Sequence, residues 1–111
     1  MDIQELTDAM HRFVSAKGWY DPESPRPQTL RNLAISLNLE ASEVLEYFQW
    51  DHDNLDKDGL AQELADVALY LLQIASIAGI DLEDAIKLKL SNNYMREWDI
   101  NQNDQSLDKN T

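Results

Sequence analysis

Two runs decide how this chain folds: LRNLAISLNLEASEVLEYFQW at residues 30–50 and LAQELADVALYLLQIASIA at residues 60–78. In the first, Leu30, Leu33, Ala34, Leu37, Ala41, Val44, Leu45 and Phe48 recur at three- and four-residue steps, the period of one helix face. That pattern predicts a helix over residues 29–50. The second run predicts a helix over residues 60–78, apolar around more than half its circumference, and such a helix is wrapped by neighbours on several sides. Residues 51–59 between them are polar and turn-like, and a short connection makes successive helices antiparallel neighbours.

Working outward, Ile3, Leu6, Met10, Phe13 and Val14 form the stripe of a first helix over residues 2–16. Asp2 and Glu5 have the spacing of a capping box at its start. Residues 17–28 hold Gly18, Pro22, Pro25 and Pro27, a spacing no helix survives, and the same loop carries Trp19 and Tyr20. Gly79 stands where a C-terminal cap belongs, and Asp81 opens a fourth helix reaching about residue 98, with Glu83 and Asp84 in its first turn. The expected architecture is all-α, a four-helix bundle over residues 1–98 followed by a flexible polar tail over residues 99–111. No strand is predicted.

Composition narrows the function. The 111 residues suit one domain, and 43% apolar with 27% charged residues mark a globular chain. A net charge of −12, from 9 Lys and Arg against 21 Asp and Glu, repels nucleic-acid backbones and anionic membranes, so neither is an expected partner. The absence of Cys removes disulfides, thiolate metal sites and Cys nucleophiles. The N-terminal residues lack the basic and apolar regions of a signal peptide. Residues 67–80 are broken by Gln73 and Ser76 and are short for a bilayer, so the expected location is the cytoplasm.

The chemistry sits in paired acids. Glu40 and Glu43 lie three apart in the second helix, Glu63 and Asp66 three apart in the third, and each pair therefore projects from one side of its helix. On antiparallel neighbours the pairs converge. Two like charges 4 Å apart repel by about 4 kcal/mol at an effective dielectric of 20, so such a cluster holds protons or a cation. All-oxygen donors suit Mg²⁺ or Mn²⁺ better than Zn²⁺. Tyr70 follows Asp66 by four and extends its stripe, and Tyr47 and Trp50 follow Glu43 by four and seven. On the fourth helix Lys89, Asn93 and Arg96 make a polar, cationic stripe. Carboxylates beside cations are what a metal-bridged polyphosphate requires. The bland alternative is that these acids are the solvated faces of an acidic protein.

The run at residues 39–50, LEASEVLEYFQW, resembles the first signature of the all-α nucleoside triphosphate pyrophosphohydrolases, the MazG-like proteins. ELADVALYLL at residues 63–72 resembles the second, and residues 80–82 with residues 89–93 resemble the fourth-helix segment. The likeness extends over about residues 2–98, and the Phe48-Gln49-Trp50 run and the Trp19 region look most like the short single-domain dCTP pyrophosphatase branch. The resemblance implies an intertwined dimer or a dimer of dimers, a homotetramer. It implies Mg²⁺-dependent cleavage between the α- and β-phosphates of a (deoxy)nucleoside triphosphate, with dCTP favoured and dATP or a modified nucleotide open, as house-cleaning of the nucleotide pool. Carried over by residue, Glu40, Glu43, Glu63 and Asp66 would be the catalytic, metal-holding acids. Lys89 and Asn93 would contact phosphates, with Arg96 beside them. Tyr70 would lie along the sugar or phosphate, and Trp19 and Trp50 would stack on the base. His11 either matches a base-pocket histidine of the family or faces solvent on the first helix. Residues 21–28 depart from the branch, being longer and richer in proline, so base preference does not carry over with the rest.

Two rivals remain. Di-iron bundles need Glu-x-x-His on two helices, and this chain offers only Asp8-x-x-His11. An acidic helical adaptor module has the same composition but no reason to aim four carboxylates at one point.

Overall fold

The computed structural model of the chain describes residues 1–50 and 54–103, with residues 97–103 as backbone. Four helices are present and no strand occurs among the described residues: α1 (Ile3–Ala16), α2 (Leu30–Glu46), α3 (Lys57–Ile77) and α4 (Leu82–Asn103). The chain divides into two compact units, Met1–Ile80 with α1 to α3 and Asp81–Thr111 with α4.

In the first unit, α3 packs against α2 and α1. The capping box opens α1 as expected: the Glu5 N–H donates to Asp2 Oδ1 at 2.8 Å and the Asp2 N–H to Glu5 Oε1 at 3.0 Å. Thr7, Met10 and Val14 bury the stripe of α1. Thr29 caps α2, accepting from the Asn32 N–H at 3.1 Å, and Leu33 is the most buried apolar residue, 2% exposed.

The α2–α3 connection differs from its prediction at both ends. The second helix stops at Glu46, and residues 47–49 continue in tighter turns whose N–H groups bond carbonyls three residues back. Tyr47 folds over the start of α3 there. A Cβ on Gly59 would lie 2.6 Å from Tyr47 Oη and 2.9 Å from Tyr47 Cε2, so glycine alone admits this approach. Asp56 caps α3 by accepting from the Gly59 N–H at 3.0 Å, which starts the helix at Lys57, ahead of its first periodic apolar residue. Residues 51–53 of the predicted turn lie outside the described residues.

Two further expectations for α3 are corrected. Along 21 residues, with mean hydropathy 1.3 in its most apolar window, it is long and apolar enough to cross a membrane by length and composition. The shorter reading of residues 67–80 missed that. Yet an acid such as Asp66 costs roughly 2.5–3.5 kcal/mol at a bilayer centre, and α3 packs in the first unit with Gln73 and Ala75 buried. Nor is the helix wrapped all round within the first unit: Leu64 is 51% exposed and Leu69 and Leu71 each 43%.

In the second unit, Asp81 Oδ1 accepts from the Asp84 N–H at 3.0 Å at the start of α4. The helix runs to Asn103, past the predicted end at residue 98; its polar last turns carry no apolar period to read. Residues 104–111 of the predicted tail lie outside the described residues.

Candidate active site

Glu40 and Glu43 project from consecutive turns of α2, Glu63 and Asp66 from consecutive turns of α3. Glu63 is hydrogen-bonded to Glu43, and Glu40 to both Asp66 and Glu43. Pairing 40 with 66 and 43 with 63 means that α2 and α3 run antiparallel, as the short connection requires. One oxygen from each of Glu40, Glu43 and Glu63 lies within 4.8 Å of the others. Asp66 joins through Glu40.

A carboxylate bonds another only by sharing a proton, because the ionised group has no donor. The Glu63 carboxyl is accordingly pushed up to about 7, first by its hydrogen bond to Glu43, then by lost hydration and by the charges of Glu43, Glu40 and Asp66. Glu40 is raised as well, by desolvation first and then by Glu43 and Asp66. The Tyr47 phenol is raised by desolvation and next by the charge of Glu63. Hard oxygen donors that hold protons to relieve their repulsion fit a hard divalent cation in the protons' place. Glu40, Glu43 and Glu63 are able to hold such an ion, with Asp66 beside Glu40.

Glu40 and Asp66 also line a pocket of about 710 Å³ within the first unit. Pockets of a few hundred to a thousand Å³ suit nucleotide-sized ligands. Met10 and Phe13 of α1, Leu33 and Ser36 of α2, and Leu69, Tyr70 and Gln73 of α3 form three sides. Trp19, Pro25, Arg26, Pro27 and Gln28 of the proline-rich loop form the fourth.

The loop is held by specific bonds. Gly18 adopts φ +77° after α1; its N–H bonds the Ser15 carbonyl at 2.9 Å and the Trp19 N–H bonds the Val14 carbonyl at 3.2 Å. This glycine-ended cap turns Trp19 back onto Phe13, ring centroids 5.7 Å apart and edge-on. Ser24 Oγ accepts from the Arg26 N–H, Gln28 Nε2 donates to the Arg26 carbonyl, and Asn32 Nδ2 donates to the Pro27 carbonyl. Gln73, 3% exposed, donates to Gln28 Oε1 at 2.8 Å and Tyr20 Oη at 3.1 Å, tying the loop to α3. Burial raises the Tyr20 phenol, with the Gln73 bond acting against it.

The expected site residues therefore fall into groups. The four acids adjoin one another, and Trp19 and Tyr70 line the pocket. His11 is neither solvent-facing nor among the pocket-lining residues: Nδ1 lies 2.6 Å from Tyr20 Oη and Nε2 2.7 Å from Ser76 Oγ, so it joins α1, loop and α3. Trp50 is 84% exposed and does not line the pocket. Lys89, Asn93 and Arg96 share a face of α4, where Asn93 Oδ1 is buried with no hydrogen-bond partner among the described residues. Sequence reading missed Arg26, Gln28, Ser36 and Gln73. Only Gln73 carried a signal: an amide inside the most apolar helix must find partners.

Comparison with known proteins points the same way. Residues 35–110 match the MazG-like family. The chain is 30% identical over 103 residues to dCTP pyrophosphatase 1 of Mus musculus and 30% identical to that of Homo sapiens, covering 85% of this chain in each case. It spans 58% of the length of these curated relatives. Among solved structures it resembles a pyrophosphatase from Archaeoglobus fulgidus DSM 4304, with TM-score 0.71 and 32% identity over 84% of this chain and 89% of that one.

Proposed function

Since the chain belongs to the MazG-like family, we propose that it is a Mg²⁺-dependent nucleoside triphosphate pyrophosphohydrolase, releasing monophosphate and pyrophosphate from a deoxynucleotide such as dCTP. The observation that carries this reading is the close-set carboxylate cluster, two members of the four-acid group lining a nucleotide-sized pocket. The relatives named dCTP pyrophosphatase support the substrate class, and the dCTP preference is proposed from them.

Glu40, Glu43, Glu63 and Asp66 would hold Mg²⁺, or Mn²⁺ in its stead, which when bound supplies charge neutralisation on the phosphate oxygens and polarisation of the α-phosphorus. A carboxylate such as Glu43 would take the proton of the attacking water onto one of its oxygens. Trp19 offers an aromatic face to the base from the loop side of the pocket. Tyr70 lines the same pocket one turn beyond Asp66, where a close fit against the sugar disfavours a 2′-hydroxyl. From the family resemblance, Lys89, Asn93 and Arg96 of α4 would contact the phosphates, Asn93 by donating from its amide nitrogen. Trp50 and His11 are not assigned to the base.

Exposed Leu45, Leu64 and Leu71 are the apolar area that a second copy would cover, so the enzyme is proposed to be a homodimer or homotetramer, acting in the cytoplasm on the nucleotide pool.

The test is a product assay on the purified chain with Mg²⁺ and each dNTP and NTP in turn, separated by ion exchange. Monophosphate with pyrophosphate is the expected result. Diphosphate with phosphate would move the cleaved bond, and no turnover of any nucleotide would leave an acidic adaptor module as the better reading.

A further inference from the structure

Arg26 stands apart in the pocket wall. Its backbone is fixed on both sides, the N–H by Ser24 Oγ at 2.9 Å and the carbonyl by Gln28 Nε2 at 2.8 Å. Gln28 is in turn gripped by buried Gln73. Its guanidinium carbon lies 5.1 Å from the centroid of the Trp19 ring, within reach of a cation–π contact. That group has no hydrogen bond or ion pair among the described residues, although the chain carries an excess of acids. A positioned guanidinium with unspent donors, on the aromatic side of a ligand pocket, is a recognition group.

We propose that Arg26 determines base specificity, favouring a base that presents two adjacent acceptors and rejecting adenine. Arg has only donors, arranged in a planar fork. Cytosine offers O2 and N3 side by side, and guanine offers O6 and N7. Adenine pairs an acceptor with the N6 donor on each of its hydrogen-bonding edges, so one arm of the fork would meet a donor. The carboxylates Glu40 and Asp66 lie elsewhere on the same pocket lining and leave the fork unpaired. Trp19 supplies a face to any base and does not discriminate; the discrimination rests on the cation stacked against it. This rests on the proposed function in one respect, that the pocket receives the base.

The experiment is equilibrium binding by calorimetry of dCMP, dGMP, dAMP and dTMP to the full chain in Mg²⁺, alongside kcat/KM for the four triphosphates. Wild type, Arg26→Ala and Arg26→Lys are compared. Arg26 is exposed, so its replacement leaves the fold intact, which circular dichroism checks. Wild type is expected to bind dCMP or dGMP better than dAMP, and Arg26→Ala to weaken the preferred base by roughly five- to a hundredfold with dAMP unchanged. Lysine, a point donor without the fork, restores only part of the preference. In turnover the loss falls on KM and leaves kcat. An equal loss for all four bases would make Arg26 a phosphate or structural group, and a wild-type preference for adenine would overturn the proposal outright. Turnover with a base preference that ignores Arg26 would sink this inference and keep the pyrophosphohydrolase. Absence of both binding and turnover would sink both.

Discussion

Glu40 and Glu43 meet Glu63 and Asp66 through helical register alone, whereas Trp19 and Arg26 reach the same pocket through a chain of long-range hydrogen bonds. The acidic wall needs two helices, a three-residue spacing and an antiparallel turn. The aromatic wall needs Gly18 to reverse the chain, Ser24 and Asn32 to shape the prolines, and Gln73 to anchor them from α3. The first wall is redundant in fold and strained in charge. The second carries a single cation, Arg26, and depends on single bonds. Substitutions should therefore separate them: acid variants lose chemistry without losing the fold, and anchor variants lose the pocket's shape with the chemistry intact.

The largest expected effect is on the acidic wall. Glu43→Gln and Asp66→Asn should each lower kcat by on the order of a hundred- to a thousandfold, measured at saturating dNTP. Their melting temperatures without metal should hold or rise, because one like charge has gone. A variant that melted earlier and kept its activity would make these acids structural.

Next comes the anchor. Gln73→Leu strands the buried side of Tyr20 and Gln28, at a cost of about 1–3 kcal/mol by chemical denaturation. KM for the nucleotide should rise while kcat changes little. Equal losses in kcat and KM would mean the two walls are not separable. Between them stands the close approach of Tyr47 to Gly59 at the start of α3. Gly59→Ala places a methyl 2.6 Å from the Tyr47 hydroxyl and should cost about 1–3 kcal/mol, with Tyr47→Phe relieving part of it.

These two walls were unequally legible in the sequence. Periodicity and spacing are local, so the helices, the Asp2–Glu5 box, the Gly79 cap and the convergence of the four acids could be read from neighbouring residues. Helix ends were misjudged where a tertiary contact or a polar cap decided them, at Tyr47 over Gly59 and at Asp56. Arg26 and Gln28 gave no signal at all. Their roles depend on partners 45 or more residues away in sequence or on the fold of the loop itself. His11 misled for the same reason, since its two ring nitrogens are bonded to Tyr20 and to Ser76, one of them 65 residues distant.

The smallest effect concerns pH and belongs only to the acidic wall. Glu63 ionises near 4.5 in the unfolded chain and at about 7 in the folded one. A raised carboxyl stabilises the fold fully below its unfolded value and loses that contribution as pH rises through the folded value. The metal-free protein should melt at progressively lower temperature between about pH 5 and pH 8. Glu63→Gln should flatten that slope, and saturating Mg²⁺ should offset it at the alkaline end. A slope unchanged in Glu63→Gln would assign it to the general excess of negative charge.

The central claim is that the four acids form a cation site and are not a solvated face. Calorimetric titration of Mg²⁺ into the metal-free chain at pH 8, wild type against Glu40→Gln and Glu43→Gln, tests it most directly. Saturable binding in the wild type, lost in either variant and releasing protons as pH is lowered toward 7, is the predicted result. Identical weak heats from all three proteins, with no shift in melting temperature, would contradict it and leave the cluster as the surface of an acidic adaptor.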